Sequence, residues 1–178
     1  EQLTGIEAGL ARETDGLDLR ATVFATRIED TIVNVTIGEG PGVFPGAGFV
    51  PAGGVLRERQ NAGTIEAVGL ELEAGARLRE GLTLRAALAA TDARVDGGSQ
   101  APQLTGLRPA QAPVWSATAG LDWTPAPDWA VSVDARWESR RFDDDLNSRV
   151  LDPSLVASAR VERRLSSGLT AWVEGVNL

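Results

Sequence analysis

Tight turns and long connections alternate along this chain, and that rhythm constrains the fold more than any other feature. The tight ones are Thr14-Asp15-Gly16, Arg79-Glu80-Gly81, Pro125-Ala126-Pro127-Asp128 and Ser166-Ser167-Gly168, each built from residues that supply turn geometry. An apolar residue opens a new run directly after each: Leu17, Leu82, Trp129 and Leu169. Between them lie three longer connections, roughly Gly38 to Ala62, Asp96 to Pro113 and Asp143 to Pro153, rich in Gly, Pro, Asp, Asn and Gln. With antiparallel neighbours, the turns near Asp15, Glu80, Ala126 and Ser167 fall at one end and the long loops at the other. Short turns at one end and long loops at the other are the pattern of a transmembrane β-barrel.

The runs between these connections test as strands. Successive side chains of a strand point to opposite faces, so each run divides into two sets. Trp129 to Glu138 gives Trp129, Val131, Val133, Ala135 and Trp137 against Ala130, Ser132, Asp134, Arg136 and Glu138. Leu82 to Val95 sets Leu82, Leu84, Ala86, Leu88 and Ala90 against Thr83, Arg85, Ala87, Ala89 and Thr91. Val68 to Leu78 opposes Val68, Leu70, Leu72, Ala74, Ala76 and Leu78 to Gly69, Glu71, Glu73, Gly75 and Arg77. Leu17 to Arg27 and Val114 to Thr124 split in the same way, and Ile6 to Arg12, Leu155 to Arg164 and Leu169 to Val176 bring the number to about eight. The charged faces require water or partners, since an unpaired buried charge costs several kcal/mol.

Alternation alone leaves two apolar surroundings open, lipid or the second sheet of a soluble sandwich. The tryptophans favour lipid. Trp123 and Trp129 flank one short turn, and Trp115 and Trp137 stand further along the same two apolar faces. At about 3.3 Å per residue and about 40° of tilt, the separation covers roughly 20 Å of height, close to the apolar band between aromatic girdles. In a sandwich the same residues would be core tryptophans. The expected fold is therefore all-β, an antiparallel up-and-down transmembrane β-barrel segment of about eight strands. A soluble all-β binding domain and a small independent outer-membrane barrel are the alternatives.

Composition removes several function classes. The chain has 178 residues, is 43% apolar and carries no long charge run, which argues against disorder. No window approaches the roughly 18 consecutive apolar residues of a membrane-spanning helix. Without Cys there is no disulfide or thiolate chemistry. Without His there is no Ser-His-Asp triad, histidine acid–base catalysis or ordinary zinc site. A net charge of −8 with no clustered basic face speaks against nucleic acid as a partner.

Three stretches invite a site reading. The glycine-rich segment from Gly38 to Gly54 lacks the Lys-Ser/Thr and the strand-to-helix setting of a phosphate loop, so Phe44 and Phe49 are its candidate ligand contacts. Asp143, Asp145 and Asn147 alternate as at the start of a calcium loop, but the required Gly and distal Glu are missing; they remain candidates for a loop contact, with no metal expected. Glu71 and Glu73 stand about 7 Å apart on one strand face, as a glycosidase pair might be spaced. A wet barrel interior shared with Arg20, Arg77, Arg85, Asp134, Arg136, Arg160 and Glu162 accounts for them better, and no catalytic residue, enzyme activity or cofactor is expected.

Four stretches resemble the C-terminal barrel region of TonB-dependent outer-membrane receptors: Gly16 to Val35, Ala62 to Val95, Leu107 to Trp123 and Phe142 to Leu178. The second carries an N-x-G pair, Asn61 and Gly63, followed by Gly69-Leu70-Glu71-Leu72-Glu73; the third carries Arg108-Pro109 and Pro113 ahead of a strand. The resemblance implies a fragment of a barrel of about 22 strands, with residues 1–178 a part of its wall and with the N-terminal plug and the last strands outside this chain. It further implies residence in the outer membrane of a Gram-negative bacterium, contact with lipid and with the plug, dependence through the plug on the TonB energy-coupling protein, and import of a scarce bulky nutrient such as a ferric siderophore or cobalamin.

Overall fold

Eight strands form one antiparallel sheet in the computed structural model, which describes residues 1–61 and 63–178. Its strands are β1 (Gln2–Thr14), β2 (Leu17–Glu29), β7 (Thr64–Arg79), β8 (Leu82–Asp96), β9 (Trp115–Ala126), β10 (Trp129–Glu138), β13 (Ser154–Ser166) and β14 (Leu169–Val176), paired in that order. The remaining strands belong to the long connections. β3 (Ile32–Glu39) pairs with β6 (Val55–Asn61), β4 (Gly42–Phe44) with β5 (Gly48–Val50), and β11 (Arg141–Phe142) with β12 (Val150–Leu151). A single 3-10 turn, Pro102–Leu104, sits in the second connection.

Each run that alternates in the sequence is a sheet strand: Trp129–Glu138 and Leu169–Val176 keep their bounds, the run read from Val114 starts at Trp115, and all but the first two reach one to four residues further at one or both ends, where ladder bonding continues past the apolar pattern. All four tight turns lie at one end and the three long connections at the other. Three of the turns are also bound to the end of the neighbouring strand: Arg77 N–H donates to Gly16 O at 2.7 Å, Thr124 N–H to Gly81 O at 2.7 Å and Arg164 N–H to Asp128 O at 2.8 Å. Two boundaries differ from the sequence reading. The third long connection begins at Ser139 rather than Asp143, because Arg141–Phe142 pairs with β12 and not with the wall. The first begins at Asp30 rather than Gly38, because Ile32–Glu39 leaves the wall and pairs with β6. Alternation continues through it, which is why the wall and the loop hairpin look like one strand. Ala62, the far end given to that connection, lies outside the described residues.

Register assigns the two faces. Glu13, Asp18, Gly75, Arg85, Gly120, Asp134 and Ser158 are successive partners across the sheet, and with their neighbours they line an open trough of about 560 Å³. Only a concave face gathers seven adjacent strands around one volume. Glu71, Glu73, Arg85 and Arg136 share this side. The opposite face carries rows such as Leu17, Ala76, Leu84, Leu121, Val133 and Ala159. Its larger side chains are not covered: Leu70, Leu72, Leu84 and Val133 are 36–40% exposed, Leu88 and Val131 are half-buried, and no second sheet packs on them. A sandwich requires the reverse.

Trp115, Trp123, Trp129 and Trp137 all stand exposed on this convex face. Past Trp115 the face turns from apolar to charged. Arg27 pairs with Glu29 and Glu66, and Asp92 pairs with Arg94 at 3.1 Å and Arg108 at 2.9 Å. The fifth tryptophan, Trp172, faces the concave side, where the Arg160 guanidinium lies 4.3 Å from its ring centre. Among the described residues β1 and β14 each have one neighbour, so the curved sheet is an open piece of a barrel.

Candidate functional site

The three long connections fold together into a cap at one end of the sheet. Among the described residues every buried apolar side chain belongs to it: Val35 from β3, Val95 at the top of β8, and Ala101 and Leu104 around the 3-10 turn. Val33, Ile65, Leu107 and Leu146 pack against this cluster, so each of the three connections contributes. Loops in water hold a fixed shape only by burying apolar area or bonding their backbone, and these do both.

Side chains of the third connection tie it to the other two. The Asp145 carboxylate accepts from both the backbone N–H and the hydroxyl of Thr36 on β3, each at 2.6 Å. Asn147, in the left-handed region at φ 55°, accepts from Arg108 N–H and donates to Arg108 O, each at 2.9 Å. Gln111 N–H donates to Phe142 O at 2.6 Å, and the Arg149 guanidinium donates to Gly53 O at 3.2 Å. Gly63 closes the first connection with φ 87°; a Cβ there would come 2.1 Å from Asp96 O, so the N-x-G pattern records a close approach of two backbones.

Asp143, Asp145 and Asn147 do not converge on a common point. Asp143 meets the Gln111 amide at 3.4 Å, while the other two bind Thr36 and Arg108 on different loops. Asp144, which the alternating pattern passes over, is the most buried carboxylate of the cap. Burial opposes its charge, but the backbone N–H of Arg149, the Ser148 hydroxyl and the Ser148 N–H donate to it and hold it below the ordinary carboxylate range. In the sequence the run Asp143-Asp144-Asp145 gives the middle carboxylate no local mark that separates it from its neighbours. No cluster of three or more acidic residues among the described residues has metal-ligand geometry.

Phe44 and Phe49 part company on the β4–β5 hairpin. The Phe44 ring folds back over Gly38, where a Cβ would come 2.3 Å from it. Phe49 stands opposite Val43 and is 68% exposed at the outer tip.

Between the loops lies a recess of about 320 Å³ with an apolar floor of Val33, Ile65, Val95 and Leu104 and a polar rim of Asn34, Arg57, Arg108, Gln111, Asp143 and Asp145. Arg57 is held loosely, 4.0 Å from Asp145. Guanidinium groups over an apolar floor suit a ligand that presents anionic oxygens beside a flat apolar body. Sequence reasoning did not single out Arg57 or the side chain of Arg108, because only the folded loops bring positions from two connections together.

Below the cap, the trough carries its own charge pairs. Arg85 lies 2.9 Å from Asp122 and 3.6 Å from Asp134, crossing Gly120. A Cβ on Gly120 would meet Asp134 Oδ1 at 2.8 Å and Arg85 Nη2 at 3.0 Å, so glycine leaves room for the pair. Glu71 and Glu73 belong to this polar surface.

The chain matches, over residues 1–178, the family model described as TonB dependent receptor-like, beta-barrel. It belongs to the TonB-dependent receptor β-barrel family. Its fold is similar to that of the ferric yersiniabactin uptake receptor from Yersinia pestis, with a TM-score of 0.74 and 17% identity over 99% of this chain and 24% of that one. The ferric enterobactin receptor from Pseudomonas aeruginosa gives 0.68 and 21% over 99% of this chain and 25% of that one. A copper transporter gives 0.70 and 19% over 98% and 25%. At these identities the likeness is one of fold. The chain spans about a quarter of the length of these structures. No match was found among curated proteins.

Proposed function

We propose that this chain supplies wall strands and outside loops of a TonB-dependent importer in the outer membrane of a Gram-negative bacterium, and that the importer captures a scarce, bulky, negatively charged metal chelate of the ferric siderophore class. The carrying observation is the recess in the cross-tied cap, where Arg57 stands over an apolar floor at the loop end of a polar concave face and Arg108, its guanidinium on Asp92, forms part of the lining. The convex apolar face meets lipid. The concave charged face meets water and a plug domain, through which the TonB energy-coupling protein acts. The role assigned to the chain is binding and passage rather than catalysis.

Family membership supports the plug, the coupling protein and the membrane. The siderophore class is supported by the Arg57 guanidinium over the apolar floor and by likeness to receptors for ferric yersiniabactin and ferric enterobactin. Phe44 and Phe49 on the first connection and Asp143, Asp145 and Asn147 on the third are the candidate loop contacts, with Phe49 the most accessible of them.

The test uses the full-length receptor that carries this segment. Binding of anionic and neutral ferric chelates is measured by quenching of tryptophan fluorescence, and uptake is followed in cells with and without functional TonB. Arg57→Ala should weaken the anionic chelate by about tenfold or more, the value of hydrogen bonds to a charged group. Binding of no ferric chelate, or uptake that continues without TonB, would overturn the reading.

A further inference from the structure

A second recess, of about 440 Å³, lies where β9 and β10 enter the cap, and the ligand recess does not include it. Its wall is Trp115 with Arg108, Arg140, Arg141, Phe142 and Val150. Register puts Trp115 on the convex face, in line with Ala90, Leu70 and Val23. Ser139 stands beside it, its hydroxyl accepting from Trp115 N–H at 3.1 Å and its own N–H donating to Trp115 O at 2.9 Å. Arg108 reaches the same side, because its partner Asp92 pairs in register with convex Val68. The recess therefore sits at the height where the convex face stops being apolar, and on central strands away from both sheet edges.

Its charge is not balanced. Asp92 offsets Arg108 at 2.9 Å, and Glu138 offsets Arg141 at 2.9 Å. Arg140 is exposed and has no acidic partner among the described residues. An indole at a membrane boundary places its apolar body against acyl chains, while guanidiniums just outside that boundary meet headgroup phosphates. Phe142 and Val150 add apolar lining that a free anion in water does not need.

We propose that this recess binds the phosphate-bearing headgroup of an anionic lipid in the surrounding leaflet, with Arg140 on the phosphate and Trp115 against the first part of the acyl chain, while Arg141 stays turned to Glu138 of the concave face. The inference rests on the membrane placement proposed above, but not on the nature of the imported ligand.

The experiment uses the full-length receptor in detergent, exchanged into phosphatidylcholine nanodiscs doped with bis-phosphorylated lipid A, and counts phosphorylated lipid retained per protein by native mass spectrometry. Wild type should retain it. Arg140→Ala should lower retention by about fivefold, the effect expected of a basic side chain at an anionic surface. Arg140→Lys should restore most of it, and Arg136→Ala on the concave face should change nothing. Unchanged retention in Arg140→Ala would overturn the site, as would inorganic phosphate binding as tightly as the lipid. A receptor that enters neither neutral nor doped nanodiscs would overturn the membrane placement together with this site. Chelate uptake by Arg140→Ala should match wild type, which separates failure here from failure of the importer reading.

Discussion

The wall and the cap are built from the same kind of strand, yet they are stabilised in opposite ways. In the wall, large apolar side chains such as Leu84, Val133 and Trp129 remain exposed, and the paired charges lie across the concave face. In the cap, Val35, Val95, Ala101 and Leu104 are buried and the carboxylates of Asp144 and Asp145 are tied to backbone groups. The contrast teaches which solvent each region expects. A loop surrounded by water must make a core of its own, whereas a strand facing lipid leaves its apolar side chains for the lipid to cover and satisfies its backbone in the ladder.

Leu104→Ala is the strongest way to break the comparison. A fully buried leucine truncated to alanine costs about 2–5 kcal/mol, so the cap should open while the wall persists. Hydrogen exchange on the full-length receptor should show fast exchange from Ile32 to Asn61 and from Gly97 to Val114 with β7 to β10 still protected. Equal loosening of wall and cap would mean that they are one cooperative unit.

Ala119→Arg tests the other half. Ala119 stands on the convex face of β9 midway between Trp115 and Trp123, and an arginine at the midplane of a bilayer costs about 2–4 kcal/mol. Refolding into vesicles should fall accordingly, and Thr118→Arg, one residue away on the concave face, should cost much less. Equal effects at both positions would show that the convex face does not meet lipid.

The smallest effect belongs to Asp144. Its folded value is depressed below the unfolded one, so its contribution is fully present above the ordinary carboxylate range and is lost as pH falls through the depressed value. Protease protection of the third connection should decline on acidification in wild type. In Asp144→Asn it should be lower throughout and nearly independent of pH. A wild-type loop with no such decline would remove Asp144 as its clasp.

The wall was legible in the sequence because its signal is local. A strand between two different media needs alternation, a two-residue turn needs Gly or Asp at a set place, and each can be recognised without knowing what lies across the fold. Leu17, Leu82, Trp129 and Leu169 mark strand starts that the structure keeps to the residue. The cap was not legible in this way. Ile32–Glu39 alternates as the wall does, and nothing within it says that its partner is β6 instead of a wall strand.

The candidate site divides along the same line. Asp143, Asp145 and Asn147 were visible as an unusual pattern, but their bonds to Gln111, Thr36 and Arg108 cross between connections far apart in the chain. Arg57 carries no local mark, and Arg108 was marked only by the Arg108-Pro109 approach to a strand. What the sequence by itself determined is the all-β wall, its two faces and the end at which the loops stand, since periodicity and turn chemistry act over a few residues. Only the tertiary structure decided that the three loops share one core and that Arg57 and Arg108, from different loops, line one recess beside it, because a contact between distant segments depends on how the whole backbone brings them together.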